Sequence, residues 1–242
     1  RRQRQMCIRD SPETFWENNS LGKKQVPSFK AWLKDAEMID AKGQPTSLGY
    51  FCHNHREDFS TTIWEVIYIN LCYNNALMQW FIKNIPFDAA LSRKELENLI
   101  QDYFNGKFAK SSISYALQAL LQVFKYSPIG SEFEQLQIDD SKKAIYIRHT
   151  YEDISDVGLV YSIYKYAQDR DVEMCRVSDF YMQGESKGPY KEFGISKQEL
   201  MKRLRSISSN SKILLAELNM GLDHITLKNN LTPISALEES VE

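Results

Sequence analysis

The stretch SKQELMKRLRSISSNSKILLAELNMGLDHITLK, residues 196–228, changes its hydrophobic period halfway. Leu200, Leu204 and Ile207 recur at the three- and four-residue spacing that lines apolar side chains along one helical face. Ser196, with Glu199 three positions later, has the form of a capping box. Beyond residue 212 the apolar runs shorten to 213–220 and 224–228 around Gly221, which is the pattern of a β-hairpin. A helix over residues 156–168, then this helix and its hairpin, is winged-helix order.

Moving toward the amino terminus, residues 24–37 carry Val26, Phe29, Leu33 and Ala36 on one face, with Pro27 in the tolerated first turn. An apolar step at Met38-Ile39, a turn containing Gly43 and a Thr46-x-x-Gly49 stop follow, again in winged-helix order. Residues 61–83 form the longest helical candidate, with Thr62 and Glu65 spaced as a capping box and apolar residues on several sides. Ser92 and Glu95 open a second helix, and residues 111–124 a third, with Ile113, Leu117, Leu120, Leu121 and Phe124 in a stripe. Ser127-Pro128-Ile129-Gly130 reads as a helix stop, and residues 144–148 as a strand. The expected fold is mainly α with short β-hairpins, with winged-helix-like units flanking a helical bundle. The expected divisions are a tail at 1–11, a winged-helix-like unit plus bundle at 12–130, and a helical lobe ending in a second winged-helix-like unit at 131–242.

The first eleven residues read as translated sequencing adapter rather than protein, so they are set aside. The whole chain has 30 Lys+Arg against 32 Asp+Glu, a net charge of −2. Without the tail the balance is 26 against 31, or −5. An acidic protein has no overall attraction to phosphate backbones, so any nucleic-acid contact must be local. The local positive sites are Lys23, Lys24 and Lys30 on the first helix and Lys202, Arg203 and Arg205, with Lys197 nearby, on the late one. These are the candidate nucleic-acid-binding residues, weighed against the reading that they are only solvated helix faces.

Chemistry-bearing patterns are sparse. Cys52, Cys72 and Cys175 form no Cys-x-x-Cys pair, which disfavours a zinc or iron–sulfur site and fits a reduced, cytoplasmic protein. His53 and His55 alternate as on a strand, but read better as a solvated loop. No glycine-rich phosphate loop or nucleophile elbow occurs. No catalytic, cofactor-binding or metal residue is therefore expected, no cofactor, and no membrane contact, since the apolar run at 63–85 is interrupted by Glu65, Asn70, Asn74 and Lys83.

The run Leu21-Gly22-Lys23-Lys24-Gln25-Val26-Pro27-Ser28-Phe29-Lys30-Ala31-Trp32-Leu33, then Thr46-x-Leu48-Gly49 and residues 64–74, resembles the carboxy-terminal region of bacterial phosphoadenosine phosphosulfate (PAPS) reductase family proteins. It is also similar to a domain of unknown function encoded beside them in bacterial defence clusters. Ser127-Pro128-Ile129-Gly130, Phe193-Gly194-Ile195 and Leu222-Asp223-His224-Ile225-Thr226-Leu227 extend the resemblance over nearly all of residues 15–237. It implies a non-catalytic carboxy-terminal accessory domain that recognises and positions substrate or nucleic acid. The partner would be an amino-terminal nucleotide-binding reductase domain, which holds the family's active site, with nucleic acid as a candidate second partner and sulfur metabolism as the setting. Relatives in DNA phosphorothioation systems look similar at this level. The alternative is a stand-alone regulatory or DNA-binding protein of a defence or DNA-modification cluster.

Overall fold

The computed structural model describes residues 25–139, 144–219 and 221–241. Among these the protein is mainly α-helical, with short antiparallel sheets and winged-helix-like units. Helix α1, Gln25–Asp35, leads through a turn and the antiparallel bridge Ile39↔Pro45 to α2, Ser47–Asn54. Helix α3, Ser60–Asn74, then runs through the core. It is buried on almost every side, by Ile63, Val66, Tyr68, Ile69, Leu71 and Cys72, as a helix apolar all round must be.

From there the chain makes the same topology twice. The first pass is α4, Ala76–Asn84; β1, Ala90–Ser92; α5, Arg93–Tyr103; α6, Lys110–Tyr126; the short α7, Pro128–Ser131; then β2, Gln137–Asp139, and β3, Ile145–Ile147. The second is α8, Asp156–Arg170; β4, Met174–Arg176; a 3-10 turn at Val177–Tyr181 with α9, Pro189–Phe193; α10, Lys197–Asn210; then β5, Leu214–Glu217, and β6, His224–Leu227. In each sheet the last strand is central, in the orders β1-β3-β2 and β4-β6-β5, and all pairs are antiparallel. Helix–strand–helix–helix–hairpin with that strand order is a winged-helix unit. Helix α11, Pro233–Val241, packs along α8.

The winged-helix order at the carboxy end lies where the sequence puts it. The helices read as a bundle turn out to be the body of another such unit, closed by β1 and the β2–β3 hairpin. Near residue 40 the hairpin shrinks to one bridge, and Thr46 starts a helix instead of stopping one: its Oγ1 accepts the Gly49 N–H at 3.0 Å. Glycine is needed at 49 because a Cβ there would lie 2.3 Å from the Met38 carbonyl. The long 61–83 helix is two helices, broken at Asn75 in extended backbone. Asparagine competes with the helix through its side chain, and here Asn75 Oδ1 accepts the N–H groups of Leu77 and Met78 while Nδ2 donates to Asp35. His53 and His55 sit at the end of α2, not on a strand, with the His55 ring stacked 4.5 Å from Phe51.

Buried polar groups fasten the two winged-helix units to each other and to α3. Glu65 does not complete a capping box with Thr62. It is fully buried and accepts the Ser155 N–H at 2.8 Å and its hydroxyl at 2.5 Å, tying α3 to the start of α8. Gly158 follows from this contact, since a Cβ there would lie 2.3 Å from Glu65 Oε2.

Candidate nucleic-acid interface

In a helix-turn-helix arrangement the second helix of the pair is the one that enters a groove. The structure has two helices in that place, α6 and α10, and their surfaces differ in electrostatics.

Helix α10 is capped by Ser196, whose Oγ accepts the Glu199 N–H at 3.3 Å, and buries Leu200, Leu204 and Ile207. Of its cations Arg203 is held inside the protein, while Lys202 and Arg205 are exposed but have partners of their own. Lys202 pairs with Glu199 at 3.0 Å. Arg203 is only 14% exposed at its side chain, donates from Nε to Asp156 at 2.8 Å, and also bonds the Glu152 and Ile154 carbonyls. Arg205 reaches the Leu218 carbonyl at 3.4 Å. The cleft beside them is lined by Glu152, Asp153, Asp156 and Glu199 as well as Lys202 and Arg203, so carboxylates outnumber cations where a phosphate would approach. Of the other candidates, Lys23 and Lys24 lie outside the described residues. Lys30, half-buried on α1, is already engaged by a neighbouring group.

Helix α6 is the reverse case. Ile113, Leu117, Leu120, Leu121 and Phe124 are buried, each contributing about 1.5–3 kcal/mol of apolar burial and fixing the helix's rotation. The opposite stripe presents Ser111, Tyr115, Gln118, Gln122 and Tyr126 to solvent. Tyr115 and Tyr126 are 78% and 75% exposed, and eleven residues apart they point the same way, three turns along. Phe108, just before the helix, is 50% exposed. Arg93 from α5 borders this face, donating to Gln118 Oε1 at 2.9 Å, and is paired with Glu97 at 3.2 Å, whose carboxylate also accepts from the Ser114 hydroxyl at 3.0 Å. Lys107, Lys110 and Lys125 are exposed, and none of the ion pairs among the described residues involves them. Residues 103–131 contain no Asp or Glu.

This face carries few cations in sequence, and its distinguishing mark is the absence of anions. The signal was present: an acid-free run in an acidic chain, with tyrosines at residues 115 and 126 on the side opposite the leucine stripe.

The described cysteines offer no reactive thiolate. Among the described residues Cys52, Cys72 and Cys175 are free and buried, and burial pushes the Cys52 and Cys175 thiols up to about 12, with Cys72 also raised. Among the described residues no group of three or more His, Cys, Asp or Glu side chains is gathered to hold a metal, and no helix is long and apolar enough to cross a membrane.

No protein-family model and no curated protein matches the chain. Two solved structures are similar in fold. One is an SspB crystal structure, with a TM-score of 0.73 and 13% identity, covering 98% of this chain and 81% of that one. The other is a magnesium ion-bound SspB crystal structure, with a TM-score of 0.72 and 12% identity, covering 97% and 80%.

Proposed function

We propose that this chain is a non-catalytic recognition module that holds nucleic acid on the exposed face of α6 and positions it within a larger assembly. The observation that carries the reading is the acid-free stripe of Tyr115, Gln118, Gln122 and Tyr126, flanked by Lys107, Lys110 and Lys125, on the helix that occupies the groove-reading position. Lysine ammoniums contact phosphates without reading sequence. Exposed tyrosines and glutamines add stacking and hydrogen bonding to bases, with stacking worth about 1–3 kcal/mol per base.

A role beside a reductase domain rests on the resemblance of residues 15–237 to the carboxy-terminal region of PAPS reductase family proteins. One surface suits such docking. Met174, Thr226 and Leu215 sit side by side across the outer face of β4, β6 and β5, and Met174 and Leu215 are each more than half exposed. The alternative remains a stand-alone regulatory or DNA-binding protein, which the reading frame upstream of the gene would distinguish.

Fluorescence anisotropy with a labelled duplex and a labelled single strand tests the reading. Tyr115→Ala with Tyr126→Ala should weaken binding at least tenfold, a loss of about 1.4 kcal/mol or more, while Lys202→Ala with Arg205→Ala should change it less than twofold. Three lysine–phosphate contacts give a slope of log affinity against log salt of about −2.7. Binding that follows α10 and ignores α6 would refute the assignment.

A further inference from the structure

We propose that a cavity of about 340 Å³ at the seam of the two winged-helix units is a binding site for a phosphate-class oxyanion. It is lined by Lys83, Asn84, Phe87, Arg148, Tyr190 and Lys191, with Ile82, Ile85 and Pro86, and by no Asp or Glu.

Arg148 follows directly on β3 and is 1% exposed. Its guanidinium lies between two rings, 4.0 Å from the Phe87 centroid and 4.9 Å from that of Phe81. Its donors go to the carbonyls of Ile82 at 3.3 Å, Ile85 at 3.0 Å, Lys191 at 2.5 Å and Glu192 at 3.2 Å, and to Gln135 Oε1 at 3.5 Å. Every one of those acceptors is neutral. The neighbouring Glu192 carboxylate is turned away, accepting from the Ser162 hydroxyl at 2.5 Å and the Gly188 N–H at 3.1 Å. A full positive charge is thus buried without a carboxylate against it, an arrangement that is unfavourable unless an anion compensates it.

The cavity beside Arg148 gathers more charge of the same sign. Neither Lys83 nor Lys191 takes part in any ion pair among the described residues. Burial, and then the Arg148 charge, hold the Lys191 ammonium below its ordinary pKa, and an anion in the cavity relieves that repulsion. Lys83 and Lys191 supply donors at the rim, while Arg148, its own donors already used, supplies field from beneath. Tetrahedral oxyanions with several acceptor oxygens match such a convergent set. The phosphate can come from a free monoester or from the end of a nucleic-acid strand.

Calorimetric titration of the full chain with inorganic phosphate, at ionic strength held constant with chloride, tests the site. Saturable one-to-one binding is expected, falling about tenfold in Lys83→Ala and in Lys191→Ala and unchanged in Lys202→Ala. Lys83 is exposed, so its variant remains informative if Lys191→Ala fails to fold. Competition by a 5′-phosphorylated oligonucleotide but not by its unphosphorylated twin identifies a strand end as the source; competition by a nucleoside monophosphate alone identifies a free ester. No saturable heat, or equal affinity in wild type and both cavity variants, overturns the proposal. The site shares no residue with the α6 face, so its failure leaves the nucleic-acid reading untouched, and the reverse holds too.

Discussion

At the scale of single residues the fold depends on a few buried polar side chains that each span two elements. Arg148 joins the carboxy end of α4 to α9, and Arg148→Met leaves the carbonyls of Ile82, Ile85, Lys191 and Glu192 without that donor. The expected loss is about 3 kcal/mol or more, read from the midpoint of urea unfolding, because unsatisfied buried acceptors cost about 1–3 kcal/mol each. Glu192 makes stability depend on pH. Burial pushes its carboxyl up from 4.5 to about 7, despite the opposing hydrogen bonds from Ser162 and Gly188. A raised pKa means the folded state binds the proton more tightly than the unfolded chain does. The contribution therefore favours folding at low pH and is withdrawn as pH rises from about 4.5 to about 7, by at most about 3 kcal/mol. Glu65, raised chiefly by burial, acts in the same direction. Urea unfolding of Glu192→Gln across this window should show a flatter dependence than wild type; an identical slope would clear Glu192 of the role.

At the scale of elements, the helices show what local sequence can reveal and what it cannot. The stripes of α6 and α10 and the Ser92–Glu95 capping box of α5 are readable because each signal lies within one turn or one face. The break at Asn75 is not, since a capping asparagine inside an apolar run differs from a tolerated one only when the chain turns. Asn75→Ala removes the acceptor for two N–H groups and should destabilise by about 1 kcal/mol, measured by thermal or urea unfolding. An unchanged midpoint would show that tertiary packing alone sets that break. Gly158 belongs to the same class: its need arises from the Glu65 carboxylate ninety-three positions earlier. Gly158→Ala should destabilise although alanine is the better helix former. For the candidate interface, the late basic cluster and the nearby Glu199 were legible as sequence, but the pairing of Arg203 with Asp156 was not, because Asp156 comes from another helix.

At the scale of the whole molecule, two winged-helix units in tandem share one core, and the repetition is structural rather than sequential. Strands of three residues, such as β1 and β4, carry too little pattern to announce a sheet, and their partners lie some fifty residues away. The consequence is two helices, α6 and α10, in equivalent places of the two units, of which α10 pairs its cations with nearby carboxylates while Lys107, Lys110 and Lys125 around α6 enter none of the ion pairs among the described residues. The proposed function places nucleic acid on α6. Amide hydrogen exchange, measured with and without a saturating oligonucleotide, tests this over the whole chain at once. The account predicts new protection concentrated in residues 103–126, with residues 197–210 and the outer face of β4, β6 and β5 unchanged. Protection confined to residues 197–210 or to that outer sheet face, with α6 exchanging as in the free protein, would contradict it.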